Sequence, residues 1–207
     1  MSIDIIGLKR QNASMEPISD DPKQNAILTS AWDAFANYGF RKTSMDDIAR
    51  GAGMSRPALY LYYKNKEDIF RSLSQFHYDL AASNVAEALG GQGPVEDVLA
   101  AAFMAQYDKI VEAMMSSPHG AELMDTGFKA CADIAEIGEN RFAVLYGEWL
   151  ESAAQTGRVR LLGDAMQMAL TMTGALKGLK MTAPDYPEFQ ARVRMLARLI
   201  ARGLSIG

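Results

Sequence analysis

A chain of 207 residues, 49% of them hydrophobic, is long enough for one large or two small domains around a real core. Its apolar runs are only a few residues long, against the ~20 that a membrane-spanning helix needs. A formal charge of -4, a lone Cys131 and the separated His77 and His119 weigh against a cation-coated nucleic-acid packer, an intramolecular disulfide and a metal cluster.

The N-terminus MSIDIIGLKRQ lacks the basic start and long apolar middle of a secretion signal, so a cytoplasmic protein with no membrane partner is expected. The charge is unevenly spread. Up to residue 75 there are 10 Lys and Arg against 9 Asp and Glu, and after it 11 against 16. Between Arg41 and Lys66 six cations face two acids, a local basic patch on an acidic body.

Helical spacing recurs almost throughout and strand-like alternation persists nowhere, so the sequence predicts an all-α fold of about nine helices. Residues 1-22, polar and aperiodic with Pro17 and Pro22, read as a flexible arm. A first helix covers about Lys23 to Asn37, with Ile27, Leu28, Ala31 and Phe35 on one face and Gly39 as its stop. A second runs from Ser44 to Gly51 and a third from Arg56 to about Tyr63. Asn65 caps a fourth, on which Ile69, Leu73, Phe76 and Leu80 recur, and GGQGP at 90-94 ends it. Pro94 opens a fifth helix to about Met115, and Pro118 a sixth to about Phe128. The seventh carries Ile134, Ile137, Phe142, Leu145 and Trp149 and stops near Gly157. The eighth starts at Asp164, and the ninth follows Pro184 and Pro187 and ends near Gly203. The expected division is a head over 23-75 and a helical body over 76-207.

The segment TSMDDIARGAGMSRPALYLY, Thr43 to Tyr62, fits two helices meeting at a tight turn. Thr43 and Asp46 have capping-box spacing, Gly53 sits where the turn needs a left-handed backbone, and Ser55 caps the next helix. Projected at 100° per residue, the third helix sends Leu59 and Tyr63 inward. Pro57, Ala58, Tyr60 and Leu61 face out, with Tyr62 on the flank and Arg56 at the tip. An uncharged outer face of this kind suits the wall of a DNA groove. Small residues allow close approach, phenol hydroxyls bond phosphates, and a leucine meets a thymine methyl. Lys64 and Lys66 would neutralise adjoining phosphates.

With ILTSAWDAFANYGF, TSMDDIARGAG and MSRPALYLYYKNKEDIF in these positions, the first seventy or so residues resemble the N-terminal DNA-binding domain of the TetR family of transcriptional regulators. The resemblance implies that Thr43 and Ser44 bond phosphate, that Arg56, Pro57 and Ala58 face bases or sugars, that Tyr60 and Tyr62 clamp phosphates, and that Lys66 completes the set. With Ser55 and Lys64 these form the candidate DNA contacts. Ala58 stands where the family often has threonine, and Tyr63 where it often has phenylalanine.

The resemblance also implies a homodimer on a palindromic double-stranded operator and a small-molecule inducer in the body, hence a repressor released by its ligand. Gly174 and Gly178, four apart, permit close helix approach. With Met168, Met172, Phe189, Val193, Leu196 and Ile200 they make a candidate dimer face, and the same stripes are equally compatible with internal core. Phe103, Met104, Tyr107, Met124, Phe128, Tyr146 and Trp149 form a candidate lining for a mostly apolar effector. Coupling would run through the fourth helix, which begins at Lys66 and continues into the body.

Two rivals are a helical interaction protein and an enzyme, each with a vestigial DNA-binding head. No Ser-His-Asp pattern, metal-ligand cluster, glycine-rich phosphate loop or paired carboxylates point to a catalytic residue or a cofactor.

Overall fold

The computed structural model describes residues 21-107 and 109-205, with the side chains of Lys109, Ile110 and Phe128 outside that description. The expected arm over 1-22 lies outside it but for Asp21 and Pro22. Ten helices and no strand occur among the described residues: α1 (Pro22–Tyr38), α2 (Met45–Gly51), α3 (Arg56–Tyr60), α4 (Lys66–Leu89), α5 (Val95–Ala105), α6 (Lys109–Ser116), α7 (Gly120–Ala130), α8 (Ala132–Gln155), α9 (Ala165–Thr182) and α10 (Tyr186–Leu204).

Local chemistry sets most starts. Asp21, Ser44, Ser55, Asn65, Asp164 and Asp185 each accept a backbone N–H of the first turn that follows, a contact worth about 1 kcal/mol. One expected helix is two. Between α5 and α6 the chain carries no proline or glycine, but Gln106 and Tyr107 turn inward and are buried. The Tyr146 hydroxyl donates to Gln106 Oε1 at 3.1 Å, and the Tyr107 ring meets Phe189 edge-on at 5.0 Å. These contacts outweigh a continuous helix.

Two hydrophobic clusters organise the chain. The first joins Ile27, Leu28 and Phe35 of α1, Ile48 of α2, Leu59 of α3 and Ile69, Phe70 and Leu73 of α4. Phe35, Phe40 and Phe70 meet with ring centroids 5.2 to 5.7 Å apart. Leu123 of α7 and Ile134 of α8 complete this cluster, so the body supplies part of the head's core. The second cluster packs Ala81 and Val85 of α4 against Leu99 and Phe103 of α5, Phe142 and Tyr146 of α8, Leu176 of α9 and Phe189 of α10.

Both clusters share α4, which lies alongside α8. Arg71 pairs with Asp133 (2.6 Å) and Asp79 with Arg141 (2.9 Å), matched positions that make the two helices parallel. The guanidinium of Arg71, hydrogen-bonded to Asp133, holds that carboxyl down at about 2. Between the two pairs Gly138 lies directly under the Tyr78 ring, where any Cβ would overlap it. Gly138→Ala should therefore cost about 1–3 kcal/mol by forcing the two helices apart, read as a lower denaturant midpoint at unchanged m-value.

Candidate nucleic-acid interface

The helix-turn-helix is built as the sequence predicts at its turn. Gly53 has φ +67°, and the N–H groups of Gly53 and Met54 donate to Arg50 O (3.2 Å) and Ala49 O (3.0 Å), closing α2. Ser55 accepts the Ala58 N–H at 3.3 Å and starts α3. Leu59 is fully buried. Tyr63 is buried too, and its hydroxyl accepts from Gln24 Nε2 at 2.9 Å, a bond a phenylalanine would lack. The helix proper ends at Tyr60 rather than Tyr63, yet the following turn keeps Tyr62 and Tyr63 on Leu59 O, so the expected faces survive. Arg56, Pro57, Tyr60 and Tyr62 are exposed, Ala58 is half-buried, and Leu61 is 85% exposed.

The capping box is one residue later than expected. Ser44, not Thr43, caps α2, accepting the Asp47 N–H, while Asp47 Oδ2 takes the Ser44 N–H (3.0 Å) and hydroxyl (2.6 Å). These bonds from Ser44, with Arg50 nearby, hold the Asp47 carboxyl below the usual range. Thr43 is buried, with its hydroxyl 2.8 Å from Gly39 O and 3.2 Å from Ala34 O. Its side chain closes the head instead of reaching for phosphate, which corrects the sequence expectation.

Lys66 is corrected likewise. Its ammonium donates to Phe40 O (2.7 Å), Thr43 O (2.9 Å) and Arg41 O (3.1 Å) and stands 4.6 Å from the Phe40 ring centroid. An ammonium has three N–H donors, and all three are engaged inside the head. The cations left facing outward are Arg41, Lys42 and Lys64. Their side chains make no ion pair among the described residues, and they line an open groove of about 460 Å³ with Ser44 and Tyr60. Arg41 and Lys42 were visible only in the charge count and were not among the expected contacts.

The rest of the outer face is wired to itself. Arg56 pairs with Asp46 (3.0 Å), donates to the Tyr60 hydroxyl (3.2 Å) and lies 5.5 Å from the Tyr60 ring centroid. Burial, with the Asp21 carboxylate that takes its hydrogen bond, pushes the Tyr62 phenol up. A groove with free cations beside phenols and an exposed leucine can neutralise phosphates and meet base edges together.

In the body, Phe103, Met104, Tyr107, Tyr146 and Trp149 do meet in the second cluster, with Phe103 edge-on to Tyr146 at 5.5 Å. Met124 is not part of that cluster, and the Phe128 side chain lies outside the described residues. Gln106, bonded to Tyr146, is a buried polar group in this set that was not among the expected lining residues. The dimer stripe is partly corrected. Met172, Phe189 and Val193 are buried in the subunit's own core, and Met168, Leu196 and Ile200 pack against it, whereas Gly174 and Gly178 are exposed with open space around them.

Lys66→Met should lower stability by about 2–3 kcal/mol, because it strips charge-assisted bonds from three carbonyls. Lys64→Ala should stay within about 0.5 kcal/mol of the parent in the same chemical denaturation.

The sequence model of bacterial regulatory proteins of the tetR family matches residues 27–73. The chain is 28% identical over 141 residues to the uncharacterized HTH-type transcriptional regulator YerO of Bacillus subtilis (strain 168), covering 62% of this chain and 48% of that protein. It spans about half or less of the length of the curated relatives it matches. Among solved structures, a transcriptional regulator from Cytophaga hutchinsonii ATCC 33406 aligns with TM-score 0.76 at 18% identity, covering 90% of this chain and 100% of that one. SmeT in its triclosan complex aligns with TM-score 0.67 at 17% identity, covering 90% and 94%; SmeT is the repressor of the Stenotrophomonas maltophilia multidrug efflux pump SmeDEF. At these identities the solved structures speak for the fold, an all-helical chain with a helix-turn-helix head, and it is that head, over residues 27–73, that matches the sequence model of the tetR family.

Proposed function

We propose that this chain is a cytoplasmic, sequence-specific transcriptional regulator, a repressor that binds a palindromic operator as a homodimer and leaves it when a small, mostly apolar molecule enters the body. The head over 23-75 makes the DNA contacts, and 76-207 holds the effector and the partner. The observation that carries the reading is the outer face of α3 and the turn that follows it, where Tyr60, Leu61 and Tyr62 stay exposed beside a groove with three cations that make no ion pair among the described residues. Large apolar surface held in water calls for an occupant. Here the neighbouring charges fit phosphate.

A dimer is supported by a second exposed stripe. Met166, Leu170, Gly174, Gly178 and Met181 line one side of α9, and Met195 and Leu199 the adjoining side of α10. Two such pairs make a four-helix bundle, with the glycines admitting close approach. A two-fold pair spaces two recognition helices by about one DNA turn or somewhat more, which supplies the specificity one head lacks. An effector site among Phe103, Tyr107, Tyr146 and Trp149 would offer an aromatic wall with polar groups at the Gln106–Tyr146 bond and at the Lys180 ammonium, 5.4 Å from the Tyr107 ring centroid, and the triclosan complex of SmeT supports a ligand of this general kind.

Selecting bound sites from random duplexes tests the reading, since no enrichment of any double-stranded sequence at low salt would end it. On the selected operator, Arg56→Ala should relax the base preference. Lys64→Ala should weaken binding about equally on all sequences and reduce the slope of log K against log salt by about one per head. Leu170→Glu should convert a sedimenting dimer to monomer, with operator affinity falling at least about a hundredfold as the second head is lost. A dimer that persists in this variant would move the interface elsewhere.

A further inference from the structure

One contact between body and head is unexplained by either core. Glu122, in the first turn of α7, reaches the turn between α1 and α2, where its Oε1 accepts the Arg41 N–H at 2.8 Å. Its second oxygen lies 3.9 Å from His119 Nδ1. The turn is shaped to receive it. Gly39, at φ +83°, has no side chain, and a Cβ there would come within 2.5 Å of Glu122 Oε2 and 3.1 Å of His119 Nδ1. Two neighbours fix the approach. Ser117 Oγ donates to Ala36 O at 2.8 Å, and Leu123, fully buried, sits in the head's own core.

The residue so held begins the groove lining. Arg41 is followed by Lys42, Thr43 and Ser44, and the same turn is gripped on its other side by Lys66 through the carbonyls of Phe40, Arg41 and Thr43. The Arg41 peptide is thus pinned at its N–H by the body and at its C=O by α4. We propose that Glu122 is a positioning residue for DNA contact: its carboxylate sets the orientation of the Arg41–Ser44 loop, so that the place of α7 in the body reaches the phosphate-facing groove directly as well as through α4. This rests on reading the head as the DNA-binding unit. A ligand that displaces α7 would release the loop while leaving the α3 face intact, so affinity would fall with little change in the preferred sequence.

The test uses the full-length protein, its selected operator, and amide hydrogen exchange. In the parent, the Arg41 amide should exchange about tenfold or more slowly than that of Lys42, its neighbour in the same exposed turn. Glu122→Ala should erase that difference and weaken operator binding about tenfold, with a smaller salt slope and an unchanged base preference, at temperatures where circular dichroism shows the variant folded. Glu122→Gln, which keeps an acceptor oxygen and removes the charge, should bind within about twofold of the parent. Equal losses in both variants would mean that charge alone matters, and would overturn the proposal. So would an Arg41 amide in the parent as fast as Lys42, a result that needs no variant to fold. If the parent binds no duplex, the reading of the head fails, and the exchange rates still decide whether Glu122 holds the loop.

Discussion

The head is organised around one ammonium. Lys66 opens α4, which with α8 is shared by both cores, and its three donors close on carbonyls of the turn before α2. Those carbonyls lie beyond the end of α1 and before the cap of α2, where no helix supplies a partner. The Phe40 ring beneath the ammonium belongs to the aromatic trio that packs α1 onto α4. A single residue thereby joins backbone satisfaction, aromatic packing and the start of one of the two long helices that both cores share. Loss of its charge would orphan three acceptors at once, a larger penalty than loss of a solvated surface cation.

That arrangement alters the electrostatics of the outer face. Six cations between Arg41 and Lys66 suggest a strongly attractive patch, but Lys66 is internal, Arg50 pairs with Asp47 and Arg56 with Asp46. The other three, Arg41, Lys42 and Lys64, make no ion pair among the described residues and are left to meet a polyanion. For Arg56, contact with DNA exchanges one anion for another, so its net gain is small while its directional demand is large. In the proposed complex the free cations would supply attraction without sequence, and the self-paired arginine with its tyrosine would supply discrimination. An acidic chain can work on DNA this way, since Asp46 and Asp47 penalise indiscriminate approach by any polyanion.

Much of the head is legible because its determinants are local. Gly53, Ser55 and Asn65 act within four residues of themselves, and the Leu59–Tyr63 spacing fixes which side of α3 turns inward. Other features depend on partners far along the chain. Lys66 finds carbonyls 23 to 26 residues away, and a carbonyl has no residue signature. The break after Ala105 has no helix breaker. It arises because Gln106 and Tyr107 find better partners on α8 and α10 than on a continuous helix. On α9 the sequence reading puts Met168 and Met172 on one face with Gly174 and Gly178, whereas the helix separates them: Met172 is buried and the glycines share an exposed side with Met166 and Leu170. Packing decides, and it keeps the stripe that carries Met172 and Leu176.

The joints between body and head differ in stiffness. Along α4 and α8 the two exposed ion pairs contribute little by themselves, but the seat of Tyr78 over Gly138 is close-packed and resists sliding, because interiors transmit displacement instead of absorbing it. A motion of α8 therefore carries α4 with it. The α7 contact is of another kind: Ser117, just before the helix, donates to Ala36 O, Glu122 accepts the Arg41 N–H, Leu123 is buried in the head's core, and Arg71 of α4 donates to Ala130 O at the far end. A ligand in the body can move either joint only by as much as it prefers the moved state. The α7 joint ends at Arg41, which itself lines the groove. In the proposed mechanism α7 would therefore offer a second, shorter route from body to groove, with the α4–α8 pair as the frame against which its shift is measured.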